Sequence, residues 1–240
     1  MRQTLPATRR GARRNARLSG IELNMGAIVF AEQMRIPVIT DLAAFRRWAR
    51  SESYPEHGWF SHLAGDLWVD LSMERLLHNL IKTGMGTDLT VMVRQEQRGI
   101  YIGDRMWLTN LDAELSTEPD GTYVANESLD AGRVTLEEGV QSLEVIGTPD
   151  VVLEVVSPIS VEKDTLLLPR LYWRAGIPEF WLVDSRAQLP TLEIWRRGRS
   201  KYASARSIAG WVKSTVFGKS FRLVRRDLGH GLSEFTLEIK

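Results

Sequence analysis

The chain of 240 residues has no cysteine. That excludes a disulfide framework, a thiolate zinc site and a cysteine nucleophile, and it fits a reducing compartment. No apolar run approaches the roughly 20 residues a helix needs to cross a bilayer. The N-terminal stretch also lacks the continuous apolar segment of a secretory signal, so a cytoplasmic protein is expected. The four histidines, His57, His62, His78 and His230, show no metal-ligand spacing, and no repeat period runs through the sequence.

What is present supports one sizeable core: 43% of residues are hydrophobic and 25% charged. The formal charge of +1 conceals an asymmetry. Arg2, Arg9, Arg10, Arg13, Arg14 and Arg17 crowd the first 21 residues without one acid. Residues 1–35 are therefore expected to be a basic, disordered extension or a nucleic-acid arm, with Met25 and Met34 as alternative starts, and residues 36–240 a single domain. A second bias lies at 191–226, where ten Lys or Arg residues face one acid, Glu193. That pattern is either a phosphate-facing surface or an ordinary solvated face.

Asp41 can cap a helix carrying Leu42, Phe45 and Trp48, and Gly65-Asp66 marks a hairpin turn within Trp59–Asp70. From Ser72 to about Arg98, Met73, Leu76, Leu77, Leu80, Ile81, Met85, Leu89 and Met92 recur at steps of three and four, which predicts a long amphipathic helix. Gly84 and Gly86 inside it imply a kink or a close approach, while His78 falls off the apolar stripe and reads as a surface histidine. Between Ile100 and Thr148 short strands and loops are expected, Thr122–Ala125 the clearest strand, and the acidic stretch Glu127–Gly147 reads as an insertion or β-arm. Pro149–Arg186 reads as strand, helix, strand: Val151–Val156, about Ser160–Ala175, and Phe180–Val183. Pro169 must kink or split the helix, and Gly176 stops it. The remainder reads as strands joined by turns at Gly198 and Gly218.

In Val151-Val-Leu-Glu-Val-Val156 a carboxylate occupies the centre of a β-branched run suited to a strand buried on both faces. A buried carboxylate is costly unless paired or metal-bound, so Glu154 needs either a metal or a Lys or Arg partner. Asp150 shares its face but lies roughly 13 Å away at 3.3 Å per residue, too far to share an ion. Asp120, directly ahead of the Thr122 strand in Glu118-Pro-Asp-Gly-Thr-Tyr-Val124, could converge on Glu154 if the two strands are neighbours. Taken alone, Pro-Asp-Gly is also a common turn. Two carboxylates with water and a phosphate oxygen suit magnesium.

Thr148-Pro-Asp-Val-Val-Leu-Glu-Val-Val-Ser-Pro158, followed by Leu171-Tyr-Trp-Arg-Ala-Gly-Ile-Pro-Glu-Phe-Trp-Leu-Val-Asp184, resembles the Uma-type family of bacterial restriction-endonuclease-like proteins, within the PD-(D/E)XK superfamily. Looser matches at Gly65-Asp-Leu, Pro119–Val124 and Ser214–Leu223 extend the resemblance over roughly residues 36 to 225. It implies an α/β (α+β) fold, a mixed central sheet flanked by helices with a C-terminal β-meander. It also implies a Mg2+-dependent (or Mn2+-dependent) endonuclease acting on DNA, expected to be double-stranded, with a homodimer allowed. The family's metal-binding acids fall on Asp120 and Glu154, with Asp150 secondary. Its lysine position, four residues before Tyr172, is Leu168 here. Lys163 is the nearest substitute, expected to orient water or stabilise phosphate charge with a pKa open to lowering, and Arg170 could only stabilise charge. An acid the family carries ahead of the Gly65 turn is replaced by Ser61 and His62. The departures leave a second expectation beside cleavage: an inactive nuclease fold that binds nucleic acid or another partner.

Overall fold

Alternating burial sorts the described residues into four α-helices and sixteen strands. The structure, a computed structural model, describes residues 34, 36–187 and 189–240. Apart from Met34, the basic extension expected over residues 1–35 lies outside them. In chain order the elements are α1 (Leu42–Ala49), β1 (Trp59–Leu63), β2 (Asp66–Asp70), α2 (Leu76–Glu96), β3 (Gly99–Gly103), β4 (Trp107–Asn110), β5 (Leu115–Thr117) and β6 (Gly121–Ala125). They continue with α3 (Asn126–Asp130), β7 (Val134–Thr135), β8 (Glu144–Gly147), β9 (Val151–Val156), α4 (Leu168–Arg174) and β10 (Glu179–Asp184). The last six are β11 (Thr191–Arg197), β12 (Tyr202–Ser204), β13 (Ser207–Ile208), β14 (Trp211–Lys213), β15 (Ser220–Gly229) and β16 (Leu232–Ile239). A π-helical turn, Lys163–Leu167, runs into α4.

The central sheet has the order β12-β11-β10-β9-β6-β3 and is mixed: β9 and β10 run parallel, the other pairs antiparallel. Every residue of β9 is buried, as its apolar run, interrupted only by Glu154, requires. Val151, Leu153 and Val155 face a core closed by Ile81, Met85 and Leu89 of α2 and by Phe221 and Phe235 of the C-terminal strands. Val152 and Val156 face the opposite core, filled by Leu168, Leu171 and Tyr172 of α4 and by Leu63, Leu108 and Leu115. Those last three belong to a second sheet, β2-β1-β5-β4-β8-β7, over which α1 packs Phe45 and Trp48 against Phe60. The closing antiparallel sheet β13-β14-β15-β16 is the expected meander.

Asp41 caps α1 through Ala44 N at 2.7 Å, and Ala64-Gly65, both at positive φ, turn the β1–β2 hairpin. The long helix starts at Leu76 rather than Ser72, because Asp70 captures the Ser72 N–H at 2.8 Å and Met73, 90% exposed, has nothing to pack against. Gly84 serves close approach, not a kink: a Cβ there would sit 1.9 Å from the Phe235 carbonyl oxygen of β16. The acidic stretch Glu127–Gly147 is not an arm. It contributes β8, parallel to β4, and buries Val134 and Val145, with Glu144 neutralised by Arg46 and Arg50 of the α1 region. The helix before β10 is split as expected, but by a π-turn ahead of Leu168-Pro169.

Candidate active site

Antiparallel pairing of β6 with β9 sets Gly121 opposite Leu153, so Asp120 comes opposite Glu154 and the two side chains share a face. The pairing condition for the two carboxylates is therefore met. Gly121 allows it, since a Cβ there would lie 2.0 Å from the Tyr101 hydroxyl packed across it. Asp120 Oδ2 accepts the Val155 N–H at 2.7 Å, tying the turn to the neighbouring strand. Both acids open into one cavity of about 290 Å³, which Lys163 also lines.

The cavity is rich in acid. Asp70, Glu74, Asp104, Glu118 and Asp164 join Asp120 and Glu154 on its walls, against Arg75, Lys82, Lys163 and His78. Asp120 is well compensated: its Oδ1 lies 3.3 Å from His78 Nε2 and 3.5 Å from Lys82 Nζ. Burial pushes its carboxyl up, but the His78 bond and charge, Lys82 and the Val155 N–H outweigh that and hold it below the ordinary value. Glu154 is the reverse case. Among the described residues only the Tyr172 hydroxyl donates to it, at 2.5 Å. Burial drives its pKa well above the usual carboxylate range, Lys163 opposing and Asp164 and Asp120 adding to the rise. Glu118, half sunk in the same wall, is pushed up to about 7, chiefly by burial.

Lys163 reaches the site from the π-turn. Its side chain is 17% exposed and its Nζ lies 3.5 Å from Asp164 Oδ1. Its pKa is not lowered: burial pulls it down, but Asp164, Glu154 and Asp120 together raise it above the ordinary lysine value.

Other residues land elsewhere. Asp150 lies outside the cavity, held by Ser128, the Ala125 N–H and Arg133 at 2.6, 2.8 and 2.9 Å, a structural pairing just ahead of β9. Leu168 is fully buried, Arg170 is exposed, and Ser61 and His62 point into the core. The basic stretch 191–226 is partly neutralised by acids beyond it and by α2: Arg222 pairs with Glu238 at 2.5 Å, Arg226 with Glu234, and Lys219 with Glu96 at 2.9 Å.

His78 is the clearest correction, since it is a cavity residue and not a surface one. With Glu74, just ahead of α2, and Lys82 it falls at intervals of four, and that spacing was the available signal. Lys82 links the group, reaching Glu74, Asp104 at 2.7 Å and Asp120.

Among the described residues no three His, Asp or Glu side chains are gathered as a ready metal centre. The donor chemistry nevertheless fits a hard divalent cation. Asp120, directly ahead of β6, and Glu154 of β9 present carboxylate oxygens to one cavity, its walls carry more acid than base, and Glu154 lacks a full set of protein donors.

Residues 43–216 match the Uma2 family, described as "Putative restriction endonuclease". Among solved structures, "a putative nuclease belonging to DUF820" from Anabaena variabilis ATCC 29413 superposes with a TM-score of 0.55 at 18% identity, over 76% of this chain and 92% of that one. The two share a nuclease-like mixed α+β fold. No curated protein matches the chain. With nearly three-quarters of its length inside the family match, the chain belongs to the Uma2 family of restriction-endonuclease-like proteins.

Proposed function

We propose that the protein is a magnesium-dependent endonuclease that hydrolyses phosphodiester bonds of double-stranded DNA, manganese being able to replace magnesium. The observation that carries this reading is the placement of Asp120 opposite Glu154 on neighbouring strands, with Lys163 lining the same cavity. Asp120 and Glu154 would hold the cation, which when bound supplies Lewis acidity and an activated water. Tyr172 orients the Glu154 carboxyl through its hydroxyl. Lys163 keeps its proton and would stabilise negative charge building on the phosphoryl oxygens, with Asp164 fixing its ammonium.

Purified protein incubated with supercoiled plasmid and magnesium or manganese tests the reading beside Glu154→Gln. Metal-dependent nicking by the wild type alone supports it, and equal nicking by both proteins sinks the assignment. A second reading has its own support: Asp120 is already satisfied by His78 and Lys82, and the family's lysine position is a buried Leu168. It describes a nuclease fold that binds nucleic acid without cutting, and it predicts retention of plasmid on a gel with no nicked product in either metal.

A further inference from the structure

A second cavity, of about 210 Å³, abuts the acidic one and has the opposite character. The two share Arg75, His78, Ser157 and Pro158 as a common wall. Beyond that wall the second cavity adds Leu77, Ser185, Arg186 and Ala187, and among the described residues no acid lines it. Arg75 is exposed, and its side chain makes no hydrogen bond or ion pair with the described residues. Arg186 is held by its own Asp184 in a two-pronged bond at 2.9 and 2.7 Å, which fixes the guanidinium while cancelling much of its charge. The start of α2 forms part of the lining and has no side-chain cap.

A strand of nucleic acid is a polyanion, and the cavity holding Asp120 and Glu154 carries more acid than base, so it favours a phosphate chiefly at the cation and at Lys163. Phosphates flanking the cut need positive charge and donors immediately outside the acidic walls. We propose that this second cavity is that place: a subsite for a backbone phosphate next to the scissile one, with Arg75 as its principal cation and the Ser157 and Ser185 region as its floor. The assignment rests on the nuclease reading. It names a residue that this reading does not need for chemistry.

Binding of a fluorescein-labelled duplex oligonucleotide, measured across a series of salt concentrations in calcium and again in EDTA, tests the subsite apart from cleavage. Removal of one phosphate contact lowers the slope of log affinity against log salt by about 0.9. Arg75→Gln should show that drop and weaken binding several-fold for unrelated sequences alike. Arg75→Lys should keep the slope, and so should Arg199→Gln, which lies outside both cavities. Equal slopes for wild type and Arg75→Gln in both buffers overturn the subsite, as does a wild type that binds no duplex in either. Heat stabilisation of the wild type by inorganic phosphate with no duplex binding assigns the cavity to a free phosphate and overturns the strand assignment. Plasmid nicking with the Glu154→Gln control is read separately, so a failed subsite leaves the metal-site reading standing, and a failed nicking assay leaves the salt slopes interpretable.

Discussion

Glu179 and Glu154 are both acids in buried strands at the centre of the molecule, and replacing each with glutamine should have opposite consequences. Glu179 is fully buried and makes no ion pair among the described residues, although Arg196 stands opposite it on β11. Its Oε1 accepts from Thr215 N at 2.6 Å, Thr215 Oγ1 at 2.7 Å and Val216 N at 3.3 Å; its Oε2 accepts from Ser214 Oγ at 2.6 Å and Trp181 Nε1 at 3.1 Å. Glutamine keeps one acceptor and places an NH2 against the donors of the other. The hydroxyls can rotate to accept, whereas an N–H cannot. One buried donor is left unsatisfied at about 1–3 kcal/mol, and the remaining bonds lose their charge assistance, giving a total loss of about 3 kcal/mol. For a chain of this size that corresponds to a melting temperature lower by roughly 6–12 °C. Glu154→Gln keeps the Tyr172 bond and removes a carboxylate that the fold leaves under-satisfied, so stability should stay within about 1 kcal/mol of wild type. Urea unfolding followed by tryptophan fluorescence gives both numbers. A Glu179→Gln loss under about 1 kcal/mol, or a Glu154→Gln loss above about 3, would refute the division of these acids into a structural and a functional one.

Gly84→Ala should lower stability by about 2 kcal/mol or more despite the better helix propensity of alanine, because its methyl must displace the β16 backbone at Phe235; thermal unfolding reads this directly. Glu144 should supply part of the acid sensitivity. Burial pushes its carboxyl up, but hydrogen bonds from Arg46 and Thr109 and the charges of Arg46 and Arg50 hold it below the ordinary value. Its stabilisation is thus present above the unfolded glutamate pKa and is lost as pH falls through the depressed folded one. Glu144→Gln should flatten that segment of the stability–pH curve relative to wild type. Leu168→Lys should lower stability by about 3 kcal/mol or more in the same urea assay, because position 168 is fully buried among Leu171, Tyr172 and Phe180.

Legibility in the sequence followed what each residue depends on. Strand β9 and the misfit of Glu154 were readable because a run of apolar, mostly β-branched residues around a single acid reports burial on both faces by itself. The Asp41 cap and the Gly65 turn were readable because each acts within three residues. The start of α2 was not, since Asp70 diverts the Ser72 N–H in competition with an apolar period that continues without a break. Nor was β8: a polar stretch enters the sheet because Arg46 and Arg50, from α1 and its C-terminal end, satisfy Glu144, which lies 98 and 94 residues from them along the chain. His78 and Lys82 escaped for a related reason. Apolar periodicity discards the polar edge of a helix, and their partner Asp120 is brought to that edge only by the pairing of β6 with β9. Asp120 itself stayed ambiguous until that pairing was known.

The lysine question turns on the geometry of one turn. In an α-helix, residues five apart are rotated by about 140°, so a lysine at 163 could not serve the direction that position 168 faces. Between these two residues, however, the helix is π, and the Leu168 N–H bonds the Lys163 carbonyl, an i to i+5 link that stacks one residue above the other. The wider turn thus brings Lys163 onto the face of Leu168, one turn earlier along the chain, where it lines the cavity holding Glu154. Leu168 is then free to be apolar and to fill the core beside Tyr172. The π-turn is thus what lets Lys163 line the cavity while Leu168 is buried beside Tyr172.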